Sequence, residues 1–104
     1  MVEFNSVQVS GRLMSLGDLH ASPAGVVHRD IILEHRSLQK DQDGSREIRF
    51  SLRVRLAGHE LNASLSGVQT GERLQVTGYL GRNNHRDEQV VLHARTIDRM
   101  NQEQ

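Results

Sequence analysis

The 104-residue chain contains no cysteine, no tryptophan and a single proline, Pro23. Without cysteine it cannot form a disulfide, and it offers no thiolate for zinc binding or nucleophilic catalysis. It also lacks the run of about eighteen apolar residues that a membrane span needs, and its first residues lack the basic and apolar regions of a secretion signal. We therefore expect a protein that is neither secreted nor embedded in a membrane, with the cytoplasm as its location.

The chain has no net charge and few aromatic side chains. Thirteen basic and thirteen acidic residues cancel, and the chain has only two phenylalanines and one tyrosine. Total charge therefore gives no support to nucleic-acid binding, which would have to depend on where the charges fall. Every basic residue except Lys40 is arginine, whose planar guanidinium can bind phosphate and stack on a base. Codon usage alone can also produce such a bias.

Alternation of apolar and polar residues predicts five strands, at residues 5–13, 26–38, 46–57, 73–81 and 89–97. Asp43-Gly44 predicts a hairpin turn between the second and third strands. Apolar residues spaced by four and three predict a short amphipathic helix of about two turns over residues 59–68. Gly78, inside the fourth strand, is typical of the bends found in small barrels.

This order of elements is that of an oligonucleotide/oligosaccharide-binding (OB) fold, which has a small helix between its third and fourth strands. Periodicity alone leaves a five-stranded sandwich or a different barrel open, and the position of the helix favours the OB fold. We therefore predict an all-β, five-stranded OB barrel over residues 1–99. Residues 100–104 lack periodicity and are predicted to form a flexible tail.

The third strand has the clearest alternation in the chain. Its apolar phase, which includes Phe50, is predicted to face the core, whereas Arg49, Arg53 and Arg55 share the outward phase. In the fourth strand, the inward phase is predicted to contain Leu80 together with the preceding leucine and valine. One side of the sheet is thus expected to be cationic.

Three separated motifs carry a family resemblance: Ile32-Leu33-Glu34-His35-Arg36-Ser37, Gly58-His59-Glu60 and Val91-Leu92-His93-Ala94. In this order they resemble the primosomal replication protein N family, and the resemblance covers most of the chain. It implies a homodimer of OB barrels, similar to bacterial single-stranded DNA-binding proteins, that binds single-stranded DNA with little sequence preference. It also implies that the protein assists the PriA helicase and DnaT in replication restart at stalled forks.

The resemblance also suggests DNA-binding residues on the cationic side. Arg36 aligns with a family arginine implicated in DNA contact, and alternation independently places it outward. We hypothesise that Arg49, Arg53 and Arg55 partly replace missing aromatic residues through phosphate contact and guanidinium stacking. Without the resemblance, arginines that merely keep a strand soluble would be the more usual interpretation.

Further candidates lie in and near the loop between the fourth and fifth strands, which borders the binding face in this fold. Arg82 and Arg86 are predicted DNA contacts, because relatives commonly carry lysines there, and His85 is a weaker candidate. Tyr79 is outward by phase and can stack on a base, pack at a dimer contact or simply be exposed.

Catalytic and metal-binding motifs find little support. His28 and His35 are seven residues apart on one strand and so face opposite sides, and none of the six histidines has a second ligand at a usual spacing. Ser37 and Lys40 have a spacing seen in some acyl enzymes, but the companion motifs are absent. We predict no metal, no cofactor and no enzymatic activity.

Two functions remain open. In the first, the protein is a dimeric single-strand-binding accessory whose arginines hold DNA while another surface recruits the helicase. In the second, the fold is a protein-interaction adapter with only weak DNA binding. Neutral net charge and few aromatics favour the second, and the arginine side favours the first. Dimerisation is expected because the edge strands of a partly open barrel need a cover.

Overall fold

The computed structural model describes residues 2–100, and over this range it contains one short helix and six strands. The elements are β1 (Val7–Leu16), β2 (His20–Ala21), β3 (Val27–Asp41), β4 (Gly44–Ala57), α1 (His59–Ala63), β5 (Arg73–Asn84) and β6 (Asp87–Arg99). Five strands form a closed ring in the order β1, β5, β6, β4, β3 and back to β1, and among the described strands β2 pairs only with β3. The predicted all-β five-stranded OB barrel, with its helix between the third and fourth barrel strands, is confirmed.

Closure of the barrel depends on two short pairings. The end of β1 pairs antiparallel with β3, from Arg12 opposite Glu34 to Leu16 opposite Ile31. β4 and β6 run parallel, and only two register pairs join them, one of which is Val54 opposite Leu92. Because closure leaves few strand edges exposed, the small sheet protects most of its backbone hydrogen bonds.

Aliphatic side chains fill the barrel. The buried cluster comprises Leu13, Ile31, Leu33, Val54, Leu56, Leu65, Val68, Leu74, Val76, Leu92 and Ile97. Burying a leucine or valine contributes about 1.5–3 kcal/mol, so these residues supply most of the driving force for folding. The inward phases predicted for β3 and for the second half of β4 are confirmed by this cluster.

The helix is shorter than predicted. α1 ends at Ala63, and the chain continues in tight turns with hydrogen bonds between residues three apart, such as Val68 N–H to Leu65 O at 2.9 Å. The Ser64 hydroxyl donates to the carbonyl of Leu61 at 2.7 Å, and serine competes for backbone groups in this way near helix ends. Leu65 and Val68 nevertheless reach the core, so the predicted apolar stripe is buried without a second α-helical turn.

The hairpin between β3 and β4 is longer than predicted. Continuous antiparallel pairing runs from His28 opposite Ala57 to Asp41 opposite Gly44, so the predicted hairpin is confirmed, with Gln42 and Asp43 as its turn residues and Gly44 as the first residue of β4. Residues 35–41 and 44–50 pair only with each other within residues 2–100, so this part of the hairpin extends past the barrel. We call residues 35–50 the hairpin arm.

Phe50 was predicted to lie in the core, and this prediction is wrong. It has the inward phase, but it lies on the hairpin arm, beyond the point where other strands cover that side, and it is 41% exposed. Its ring stacks on His35, its register partner, with centroids 4.7 Å apart. The His35 ring is itself hydrogen-bonded to the carbonyl of Ser10 and the hydroxyl of Ser37, at 2.7 Å each.

One prediction for β5 is confirmed and another is wrong. The register between β5 and β6 shifts between Thr77 and Gly78, where a side chain would collide with the carbonyl of His93. This confirms the bend predicted at Gly78. Leu80 keeps the inward phase, since it lies opposite the buried core residue Leu92, but it is 39% exposed and is not part of the core.

Two observations concern the chain ends and membranes. The backbone N–H of Met100 donates to the carbonyl of Arg73 at 3.0 Å, and residues 101–104 of the predicted tail lie outside the described residues. Among the described residues, α1 is far too short and polar to cross a membrane.

Candidate nucleic-acid interface

The outward side of β3 and β4 carries the arginines singled out in the sequence. Register pairs place Asp30 opposite Arg55, Ile32 opposite Arg53, and Arg36 opposite Arg49 on this side. We call it the arginine face. One end of the arginine face is bordered by loop 17–26, which contains the short strand β2, and by the turn between β5 and β6. The face, the loop and the turn enclose an open groove of about 630 Å³. In OB folds, this sheet surface and these two loops form the usual oligonucleotide-binding surface.

Arg55 is the most constrained arginine of the face. Its Nε and Nη2 donate to the two carboxylate oxygens of Asp30 at 2.8 and 2.9 Å. Nη1 donates to the backbone carbonyl of Asn83 at 2.7 Å, and Nη2 also donates to the Asn83 side chain at 2.6 Å. Only 23% of the Arg55 side chain is exposed. We therefore interpret Arg55 as the residue that fixes the β5–β6 turn against the arginine face.

The same network extends through Asp30 and Asn83. Arg53 donates to Asp30 at 3.2 Å, and Asn83 donates to Asp87 at 3.0 Å. The hydrogen bond from Arg55, followed by the charges of Arg55 and Arg53, lowers the pKa of Asp30 despite the opposing effect of burial. Asp30 therefore stays ionised near neutral pH and offsets part of the positive charge of the face.

Arg36 is also paired, but at the surface. Its Nε and Nη2 donate to one oxygen of Glu47 at 3.2 and 2.7 Å, and the two side chains are 60% and 50% exposed. The hydrogen bond from Arg36 lowers the pKa of the Glu47 carboxyl. Arg49, directly opposite Arg36 and exposed, has no ion pair within residues 2–100. Of the four arginines of the face, Arg49 is thus the most available to an external phosphate.

The predicted loop residues lie at the β5–β6 turn and differ in availability. Arg82 donates to the carbonyls of Asp87 and His85 at 3.2 and 3.0 Å and lies 3.5 Å from a carboxylate oxygen of Glu88. His85 and Arg86 form the turn itself, and the Arg86 side chain has no ion pair in the described part of the chain. Arg82 therefore helps to shape the turn, whereas Arg86 is open to solvent.

Tyr79 lies on the outer surface of β5, as its phase predicted. Its ring stacks on His93, its register partner on β6, at 5.2 Å, and the guanidinium of Arg95 lies 5.0 Å from the ring centroid. The residue is 38% exposed. Since His93 is also the register partner of Arg55, Tyr79 lies two strands away from the arginine face and already stacks within the protein.

Sequence reasoning identified the arginines but missed their partners. Asp30 was visible on the outward phase, yet its pairing with Arg55 depends on a register between residues 25 positions apart. Asn83 gave no signal, because its contact with Arg55 arises from the way the β5–β6 turn folds back over the sheet. Among residues 2–100, no cluster of three histidine, aspartate or glutamate side chains has the geometry of a metal site.

Comparison with known proteins agrees with the fold and with the motif resemblance. The sequence model of a family described as another single-strand binding protein family matches residues 5–96. Among curated proteins, replication restart protein PriB of Citrobacter koseri is 29% identical over 96 residues, which cover 90% of this chain and 92% of that protein. The resemblance inferred from three motifs is thereby confirmed.

Solved structures support the architecture. PriB from Ralstonia solanacearum superposes with a TM-score of 0.84 at 22% identity, over 95% of this chain and 100% of that chain. The Plasmodium falciparum SSB, solved in complex with ssDNA, gives a TM-score of 0.75 at 12% identity, over 97% of this chain and 98% of that chain. At these identities the likeness shows the fold, which is the barrel described above.

Proposed function

The chain belongs to the single-strand binding protein family whose sequence model matches residues 5–96, and from this premise we propose that it binds single-stranded DNA in replication restart. The observation that carries the proposal is the arginine face, on the OB surface that usually binds oligonucleotides. The similarity to PriB over nine-tenths of the chain supports the replication role. Such a role implies a cytoplasmic location and requires no catalytic step.

In this mechanism, guanidinium groups bind the phosphate backbone and read no base sequence. Arg49 provides a cation that has no ion pair within residues 2–100. Arg36 and Arg53 are exposed enough to donate hydrogen bonds to a carboxylate and to a phosphate at the same time. Arg86 adds a cation at the turn that borders the groove. Arg55 acts chiefly by holding that turn in place.

The proposed partners are single-stranded DNA, the PriA helicase, DnaT and a second copy of this chain. The names and the family of the relatives support these assignments. For the homodimer there is also a structural argument: within residues 2–100, the edge of β3 at 35–41 has β4 on one side and no strand on the other. A single species with the mass of a monomer, in sedimentation at micromolar concentration, would contradict the homodimer.

A second candidate function is a protein-interaction adapter with weak DNA affinity. The observation in its favour is that three of the four arginines of the face are already paired, with Asp30 or Glu47. In this case the face would attract phosphate weakly and would contribute mainly to solubility and protein contacts.

Fluorescence anisotropy distinguishes the two functions. A labelled single strand and a matched duplex are titrated with the protein at several salt concentrations. Single-strand binding should fall with salt, with a log–log slope of about −0.7 for each phosphate contacted. We expect Arg49→Ala to weaken this binding, whereas Arg99→Ala, an equal charge change at an arginine bonded to Glu72, should have little effect. Equally weak binding of the single strand and the duplex would contradict the single-strand-binding function and favour the adapter function.

A further inference from the structure

A second group of arginines lies where β1 passes between β3 and β5. Arg12 on β1 is the register partner of Glu34 on β3 and also of Arg73 on β5, and Arg12 and Arg73 are both exposed. Arg36, two residues beyond Glu34, joins them around a small concavity of about 90 Å³. We call Arg12, Arg36 and Arg73 the β1 cluster.

The charges of the β1 cluster are not balanced. Like charges directly opposite each other on neighbouring strands are destabilising, and Arg12 and Arg73 are such a pair. Neither has an ion pair in the described range, whereas Arg36 is paired with Glu47 outside the concavity. Among residues 2–100, Glu34 is the single carboxylate that lines the concavity with the three arginines. The site therefore carries a net positive charge that an anion would stabilise.

The β1 cluster is continuous with the arginine face, because Arg36 belongs to both. From Arg49 on β4 the arginines run through Arg36 on β3 and Arg12 on β1 to Arg73 on β5. Neighbouring strands are about 4.8 Å apart, so three steps cover about 14 Å around the barrel. A negatively charged polymer lying on the arginine face would reach the concavity without leaving the protein surface.

We propose that the β1 cluster binds a backbone phosphate of the same single strand, and that the strand leaves the arginine face across β1 toward the start of β5. The inference rests on the proposed function. Arginine suits this role, since its fork can donate two parallel hydrogen bonds to one phosphate. Phosphate recognition of this kind is independent of base sequence and lengthens the DNA site beyond the groove at the loops.

The test compares Arg12→Ala and Arg73→Ala with Arg99→Ala, which removes the same charge from a neighbouring arginine held by Glu72. Anisotropy is measured with labelled oligothymidines of about 5 and about 15 nucleotides, which bracket the usual site sizes of an OB fold. Each variant of the cluster should bind the longer strand several-fold more weakly than the wild type. Its salt slope should be smaller in magnitude by about 0.7, the value for one lost phosphate contact.

Further readouts separate a binding role from a structural one. Because two like charges are relieved, Arg12→Ala should keep or raise the thermal midpoint, so weaker binding cannot result from unfolding. Arg12 and Arg73 share one phosphate in this proposal, so the double variant should lose less than the product of the two single losses.

The outcomes distinguish failure of this inference from failure of the proposed function. If the wild type binds the longer strand but both cluster variants behave like Arg99→Ala, the inference is overturned and single-strand binding stands. If the wild type binds neither oligothymidine, both are overturned. Weakening confined to the cluster variants, with Arg99→Ala unchanged, supports the inference.

Discussion

Replacing Asp30 by asparagine should make the protein less stable and its DNA binding tighter. Asp30 accepts two hydrogen bonds from Arg55 and one from Arg53. An asparagine keeps one carbonyl oxygen, but its amide nitrogen would place a donor against a guanidinium donor. The substitution therefore breaks part of the network that holds the β5–β6 turn, and at the same time it removes a negative charge from the arginine face.

The expected loss of stability follows from these contacts. A hydrogen bond between charged groups contributes about 1.5–3 kcal/mol, and solvent screening at a partly exposed site reduces that value. Asp30 and Arg55 are each 23% exposed, and Arg53 is more open, so we expect a loss of about 2 kcal/mol, nearly all of it from Arg55. In a domain of roughly this size, such a loss lowers the thermal midpoint by about 8–16 °C.

The expected gain in DNA affinity arises mainly at Arg53, which becomes free to bind phosphate. Anisotropy with a labelled single strand should show tighter binding at low salt and a salt slope steeper by about 0.7. Glu47→Gln is the matched control, because it removes the same charge from the same face beside Arg36. Its pair is exposed, so it should also steepen the salt slope but leave the thermal midpoint nearly unchanged.

Two results would refute this reasoning. A thermal midpoint for Asp30→Asn equal to that of Glu47→Gln would show that the Asp30–Arg55 contacts do not stabilise the fold. Unchanged salt slopes in both variants would show that the carboxylates do not limit phosphate binding, and that the pairing of the arginines is irrelevant to function.

Three other substitutions or conditions test the fold. The pKa of Asp30 is lowered in the folded protein, so its stabilising effect is full above the ordinary aspartate pKa and is lost as pH falls through the folded value. The difference in unfolding free energy between wild type and Asp30→Asn should therefore shrink below about pH 4. A difference that stays constant with pH in urea unfolding would contradict this. Leu33→Ala empties a fully buried site and should cost about 2.7–5.0 kcal/mol in urea unfolding, and a loss below about 1 kcal/mol would show that the barrel interior is loosely packed. Gly11→Ala places a methyl group 2.7 Å from the carbonyl oxygen of Glu34 and should separate β1 from β3. It should lower the thermal midpoint more than Gln8→Ala, a substitution at an exposed position of the same strand. Equal midpoints would show that β1 can shift without cost.

The parts of the fold that depend on local sequence were predictable. The hairpin signalled by Asp43-Gly44 and the inward phases of β3 and of the second half of β4 follow from turn chemistry and alternation, which act over a few residues. The closed barrel followed less directly, from the position of the helix. Alternation also explains why Arg36 and Arg49 could be placed on one side before their strands were known to pair.

The wrong predictions share a physical reason: a periodic pattern gives the direction of a side chain but not what covers it. Phe50 points to the inward side, yet within residues 2–100 no further strand pairs with the hairpin arm there, and Phe50 is 41% exposed. Leu80 likewise lies on the inward side, opposite the buried Leu92, yet it is 39% exposed. The apolar stripe of the predicted helix correctly indicated that Leu65 and Val68 are buried. The hydroxyl of Ser64, however, favoured tight turns over a longer helix.

The electrostatic character of the candidate site depends on pairings that no local pattern encodes. To bind phosphate, each paired arginine on the face must give up or share its hydrogen bonds to a carboxylate. The loss of those bonds reduces the net free energy gained from the phosphate contact. Arg49 forms no ion pair within residues 2–100 and meets less competition, which comes from the nearby charge of Glu47, whereas Arg55 would have to give up the contacts that hold Asn83. The affinity of the face for DNA should therefore depend on its unpaired and exposed arginines more than on their number. Under the proposed function, this is how a chain with zero net charge presents a binding surface for a polyanion.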